Sequence, residues 1–200
     1  MMNKILFNPF HYIAGYRALA FGLISISIYA SIGYFSNMHF PGAISIKTAP
    51  DLKYSYFILL STVNWLIISI VFYVSAKITS NTLVRIVDIF GTMALARYPL
   101  VFASLIGFSE ALERFTNFFM EKLKGNEEVA SISTADMALT LIFIFLMLLI
   151  SIWVVTLMYY AYKVSANLKG NRLVASFIIS VILSIVATNV ASFCIYQIFI

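Results

Sequence analysis

Five long apolar stretches, each nearly free of charge, alternate along this chain with short polar clusters. They run over about 18–35, 56–76, 86–108, 137–162 and 173–199. A helix of about 20 apolar residues crosses the roughly 30 Å of hydrocarbon in a bilayer. Each stretch is close to that length. The pattern therefore predicts one domain over residues 1–200, an all-α integral membrane protein with a bundle of about five transmembrane helices.

The segments between spans carry their own signals. In the tail, Asn8-Pro9 is a helix-start pair, Asn as cap and Pro at the first helical position. Phe10, Tyr12, Ile13 and Tyr16 follow, and such aromatics favour the membrane interface. A short helix lying in the headgroup layer is expected there. The loop over 36–55 has turn signals at Pro41-Gly42 and Pro50, with Lys47, Asp51 and Lys53. The longest loop, 109–136, repeats Leu112, Phe115, Phe119 and Leu123 at helical spacing among many charges, and Gly125 ends the run. This is an amphipathic surface helix of about four turns. Ser133-Thr134-Ala135-Asp136 is a variant capping box that starts the fourth span. Trp153, Tyr159, Tyr160 and Tyr162 cluster near the end of that span, as an aromatic belt would.

Composition agrees with this pattern. Hydrophobic residues make up 62% and charged residues 10%, with mean hydropathy +0.97, against about a quarter charged in soluble domains. Net charge is +5. The basic residues sit between apolar spans, so topology and anionic lipid account for them, and no nucleic-acid motif is present. Lys4, Arg17, Lys77, Arg85, Lys163, Lys169 and Arg172 fall on one side of the predicted topology. Lys47, Lys53, Arg114, Lys122 and Lys124 fall on the other, in longer and more acidic loops. The bias predicts a cytoplasmic N-terminus, in the inner membrane for a bacterial protein. The first apolar run has no clear cleavage site and is expected to be a retained span. Cys194 is the sole cysteine, and His11 and His39 lie in different segments. No disulfide within the chain, metal site or cofactor is expected.

An internal likeness links two of the turns. Residues 74–84 and 164–174 match at six of eleven positions, at an offset of 90. If the likeness is structural, spans 2–3 and 4–5 form a repeated helical hairpin, related by an axis along the membrane normal.

Candidate chemistry lies at membrane depth. Asn64 and Asn189 fall inside spans, where an amide seeks a partner on another helix or lines a passage. The third span holds Asp88 and Arg97, nine residues apart. On a regular helix they face opposite sides, about 13.5 Å apart along the axis, and cannot pair. A charge in hydrocarbon costs about 2.5–3.5 kcal/mol on insertion scales, so something must offset each of these. Pro99 removes the hydrogen bond to Leu95 and bends the helix, while Gly91, Ala94 and Ala96 permit close backbone approach. Two readings of Arg97 follow: it satisfies backbone freed by Pro99, or it meets a ligand, lipid headgroup or ion.

Asn8-Pro9-Phe10, the run from Asp88-Ile89-Phe90-Gly91 to Arg97-Tyr98-Pro99, and five spans in 200 residues resemble bacterial-type members of the Yip (Ypt-interacting protein) domain family. The stretch from Lys163 to Gly170, with Asn167 and Lys169, is similar to that family's last cytoplasmic turn. The resemblance implies a small five-helix membrane domain. Eukaryotic members sit in Golgi and endoplasmic-reticulum membranes and associate with Rab-type GTPases in vesicle traffic. They carry a long cytosolic region ahead of the membrane domain, which this sequence does not show, and their Asp-Leu-x-Gly-Pro motif comes earlier than Asp88…Gly91 here.

No catalytic triad, metal-ligand spacing or Gly-rich phosphate loop is present, so enzyme activity is not expected. An intramembrane enzyme built on Asp88 with Tyr159 or Tyr160 ranks last. The leading expectation is a non-enzymatic scaffold or adaptor that contacts the lipid bilayer and a protein partner or second copy. The alternative is a small dimeric transporter or lipid-handling protein that uses the polar residues of the kinked third span.

Overall fold

A computed structural model describes residues 8–48, 52–125 and 132–199. Lys4, Pro50, Asp51, Glu127 and Glu128 lie outside the described residues. Among the described residues, five helices are long and apolar enough to cross a membrane. They are α1 (Gly15–Phe35), α2 (Tyr54–Thr79), a third formed by α3 (Ile86–Leu95) and α4 (Leu100–Ile106), then α6 (Thr134–Ser165) and α7 (Gly170–Phe199). Between α4 and α6 lies the shorter α5 (Glu110–Leu123). The protein is an all-α multi-pass membrane bundle.

The broken third span is the centre of the bundle, with two thirds of its most apolar window buried. Helix α1 packs along α3 and α4, α6 packs on their other flank, and α2 pairs with α7. The buried stripe of α1 is Ala18, Gly22, Ile26, Ala30 and Gly33, residues three or four apart that share one helix face. Two glycines bring α1 and α3 together. A Cβ on Gly22 would lie 2.6 Å from the Leu95 nitrogen, and one on Gly91 would lie 2.7 Å from the Gly15 carbonyl. Small residues are what a close crossing of membrane helices requires.

The surface helix expected from 109–136 is α5, and Gly125 follows it with φ 81°. The Ser133 hydroxyl accepts from the Asp136 amide at 3.0 Å, capping α6 as its sequence indicated. Two other expectations need correction. The helix after Asn8-Pro9 is one 3₁₀ turn, Pro9–His11, and Pro9 and Phe10 are buried against the bundle. The Asn8 side chain makes no capping bond. Nor do the aromatics near the end of α6 form a simple belt. Tyr162 is fully buried, with its hydroxyl 3.0 Å from that of Ser75 on α2, and Trp153 stacks on Phe102.

The repeated turns show a mixed outcome. Phe72 and Tyr162, equivalent at an offset of 90, meet edge-to-face at 5.1 Å. The matched stretches nevertheless fold differently. Helix α2 runs on to Thr79 and residues 80–85 are the turn, whereas α6 stops at Ser165 and Gly170 already begins α7. Positive φ at Asn167 (51°) and Gly170 (64°) closes the second turn early.

Candidate functional site

The loop after α1 is not an external turn. Met38 to Ala43 are six consecutive buried residues without helix, inserted into the end of the bundle. Asn37 adopts φ 53°, reversing the chain after α1. Strand β1 (Met38–His39) then pairs antiparallel with β2 (Lys47–Thr48), with His39 opposite Lys47. Irregular backbone buried in a helical bundle needs its polar groups satisfied inside the protein. Three side chains from three spans contact it. Asn64 Nδ2 donates to the Phe40 carbonyl at 2.8 Å, the Ala43 amide donates to Thr188 Oγ1 at 3.1 Å, and Arg97 Nη2 reaches the Gly42 carbonyl at 3.5 Å. Ser192 Oγ also approaches Asn64 Oδ1 at 3.4 Å, tying α7 to the same cluster.

Arg97 is 1% exposed and is the largest fully buried side chain among the described residues. It follows α3 in a turn where Arg97, Tyr98, Leu100, Val101 and Phe102 amides bond three residues back. This 3₁₀ tightening corrects the expectation for Pro99. The Leu95 carbonyl that Pro99 cannot bond accepts instead from the Tyr98 amide at 3.1 Å, so Arg97 has no freed carbonyl to fill there. Its guanidinium turns to Gly42 and sits 5.9 Å from the Tyr29 ring centroid. Nε and Nη1 have no hydrogen-bond partner among the described residues, and neither does the Tyr29 hydroxyl.

Asp88 does not join this cluster. It lies half-buried in the first turn of α3, where a negative charge suits the helix N-terminus. Its carbonyl accepts from Thr92 Oγ1 at 2.6 Å and Ser165 Oγ at 3.2 Å. A Cβ on Gly15 would lie 3.5 Å from its carboxylate. Asn167, Lys169 and Gly170 belong to the same end of the bundle as that Ser165 contact. Asn167 and Lys169 line a recess of about 200 Å³ with Asn8, His11 and Lys163. The ion pairs among the described residues involve α5 and the start of α6, with Arg114 to Glu110 at 3.0 Å and Lys124 to Glu121 at 2.7 Å.

Asn189 is exposed beside the inserted segment, 3.7 Å from where a Cβ on Gly42 would lie. Its Nδ2 donates to the Ile185 carbonyl at 2.7 Å, and it borders a cavity of about 500 Å³ with His39, Pro41, Lys47, Tyr56 and Ser192. His39 is buried with Nδ1 unpartnered. Burial, and then the Lys47 charge, push its pKa down from 6.5 to about 4, so it is neutral at physiological pH.

Sequence reasoning found Asn64 and Arg97, with Asn189 nearby, but missed the segment that Asn64 and Arg97 meet, and with it Tyr29, Thr188 and Ser192. Two signals were available. No Asp, Glu, Lys or Arg occurs from Ala18 to Ile46, which is long for one span. Ser176, Ser180, Ser184, Thr188 and Ser192 recur every fourth residue, marking one small, polar face of α7, and all five are buried. No family model matches the sequence, and no curated protein or solved structure matches it.

Proposed function

We propose that this multi-pass membrane protein is a non-enzymatic scaffold that holds a partner protein or a second copy within the bilayer. The observation that carries this reading is the first half of α6. From Thr134 to Ile150 only Thr140 is buried, and Leu141, Ile142, Phe145 and Leu149 are exposed around the helix. The Thr140 hydroxyl donates to the Ala111 carbonyl of α5 at 3.1 Å. An apolar stem thus stands beside a charged collar, a surface on which another helix can pack. Asn64, Thr188 and Ser192 direct their hydrogen bonds into the fold, which favours a structural role for the polar groups at depth. The resemblance to the Yip-domain family supports a role in membrane organisation or trafficking. The loop charges favour a cytoplasmic N-terminus.

A second reading, a small dimeric transporter or lipid-handling protein, is favoured by the unpaired buried charge of Arg97. Photo-crosslinking from Leu141, Phe145 and Leu149 in native membranes tests the scaffold. One discrete protein adduct, recurring at successive positions on one face of α6, is the expected result. Adducts to lipid alone at all three positions would overturn it.

A further inference from the structure

The side chain of Arg97 is a cation removed from water without an anion. Moving such an ion into a medium of low dielectric costs several kcal/mol even after relaxation, so buried charges are paired or hydrogen-bonded. Here the compensation is incomplete. The Gly42 carbonyl lies at the long limit of a hydrogen bond, 3.5 Å, and the Tyr29 ring offers a cation–π contact at 5.9 Å. Two donor nitrogens, Nε and Nη1, face no acceptor, and the buried Tyr29 hydroxyl is also unused. No carboxylate among the described residues pairs with the guanidinium. Unsatisfied buried donors of this kind mark the place of a water or an ion.

We propose that Arg97, with Tyr29 beside it, is an internal binding site for a small monovalent anion of halide or simple carboxylate size. Full burial excludes a lipid headgroup. In this reading an anion enters through the cavity beside Asn189 as the inserted segment yields, since neither Arg97 nor Tyr29 lines that cavity. Adjacent residues of the inserted segment face its two sides: Pro41 lines the cavity, while the Gly42 carbonyl faces Arg97. Lys47, exposed and lining the same cavity, draws anions to the entrance. The long contact from Arg97 to Gly42 is the one that an arriving anion supplements. The site does not depend on the scaffold reading, since it lies inside one chain and away from the exposed half of α6.

The test is thermal unfolding of the detergent-purified protein in sodium bromide against sodium gluconate at equal ionic strength. Wild type should show a saturable rise in melting temperature, roughly 5–10 °C with bromide at a hundred times its dissociation constant. Arg97→Met should lose the response, its melting temperature in bromide staying equal to its own value in gluconate. Absence of a bromide-specific rise in wild type, or an equal rise in Arg97→Met, would overturn the site. Should Arg97→Met fail to fold, bromide anomalous diffraction from wild-type crystals decides. A peak within hydrogen-bond distance of Nε or Nη1 supports the site, and density without bromide signal there overturns it.

Discussion

Asn64 Nδ2 donates to the carbonyl of Phe40 at 2.8 Å, joining the middle of the second span to a loop residue that no helix could have satisfied. The amide is fully buried, and its oxygen is approached by Ser192. Asn64→Leu would fill the same space but leave the Phe40 carbonyl unpaired. An orphaned buried acceptor costs about 1–3 kcal/mol, and the inserted segment should loosen with it. The check is maleimide labelling of Ala43→Cys in a Cys194→Ser background. Labelling should be slow with Asn64 in place and fast in Asn64→Leu. Equal rates would show that the segment is held without Asn64.

Close packing of α1 on α3 rests on two missing side chains. A Cβ on Gly22 would lie 2.6 Å from the Leu95 nitrogen, and one on Gly91 would lie 2.8 Å from the Leu19 nitrogen. Both neighbours are backbone and cannot swing away. Gly22→Ala and Gly91→Ala should each destabilise the bundle by about 1–3 kcal/mol, the cost of overpacking. Leu141→Ala, on the exposed face of α6, is the control and should change stability by less than about 0.5 kcal/mol. Melting temperatures in one detergent compare the three.

What the sequence made legible follows the physics of the bilayer. Span length and charge exclusion are imposed by hydrocarbon, so five crossings could be read directly, and α5 could be read from Leu112, Phe115, Phe119 and Leu123. Asn64 and Arg97 were visible because polar groups in apolar runs demand partners. Those partners were not visible, because Phe40 and Gly42 contribute only carbonyls, and every residue has one. Apolar residues in a loop look like the end of a span, which hid the insertion of Met38 to Ala43. At Pro99 the carbonyl that proline leaves free is satisfied by a local 3₁₀ turn, which depends on backbone geometry rather than on any side chain.

Tyr162 separates hydrogen bonding from packing at the contact of α2, α6 and α7. Its hydroxyl lies 3.0 Å from Ser75, 3.2 Å from Thr79 and 3.2 Å from Ser176. Thr79 and Ser176 also donate to carbonyls in their own helices, at 2.7 Å each. Tyr162→Phe therefore strands little, and a loss of about 0.6–1 kcal/mol is expected, typical of side-chain hydrogen bonds between membrane helices. Tyr162→Ala also removes the ring from Phe72 and Phe177 and should cost about 3–5 kcal/mol. A double-mutant cycle with Ser75→Ala isolates the first term. Coupling near zero would mean that the Ser75 contact contributes no stability.

His39 gives the fold an acid limit. Burial and the facing Lys47 hold its pKa near 4, below the 6.5 of an unfolded chain, and the Tyr56 ring is 5.8 Å away. Between those values the unfolded state binds more protons, so stability rises with pH across that window. The contribution of neutral His39 is complete above about pH 6.5 and is lost as pH falls through 4. Full protonation should remove on the order of 3 kcal/mol, at 1.36 kcal/mol for each pKa unit. His39→Gln should flatten the melting temperature between pH 6.5 and 4. Lys47→Gln, by removing one of the two causes, should raise the folded pKa and shrink the loss without abolishing it. A wild-type profile retained in His39→Gln would assign the acid limit to carboxylates such as those of α5 instead.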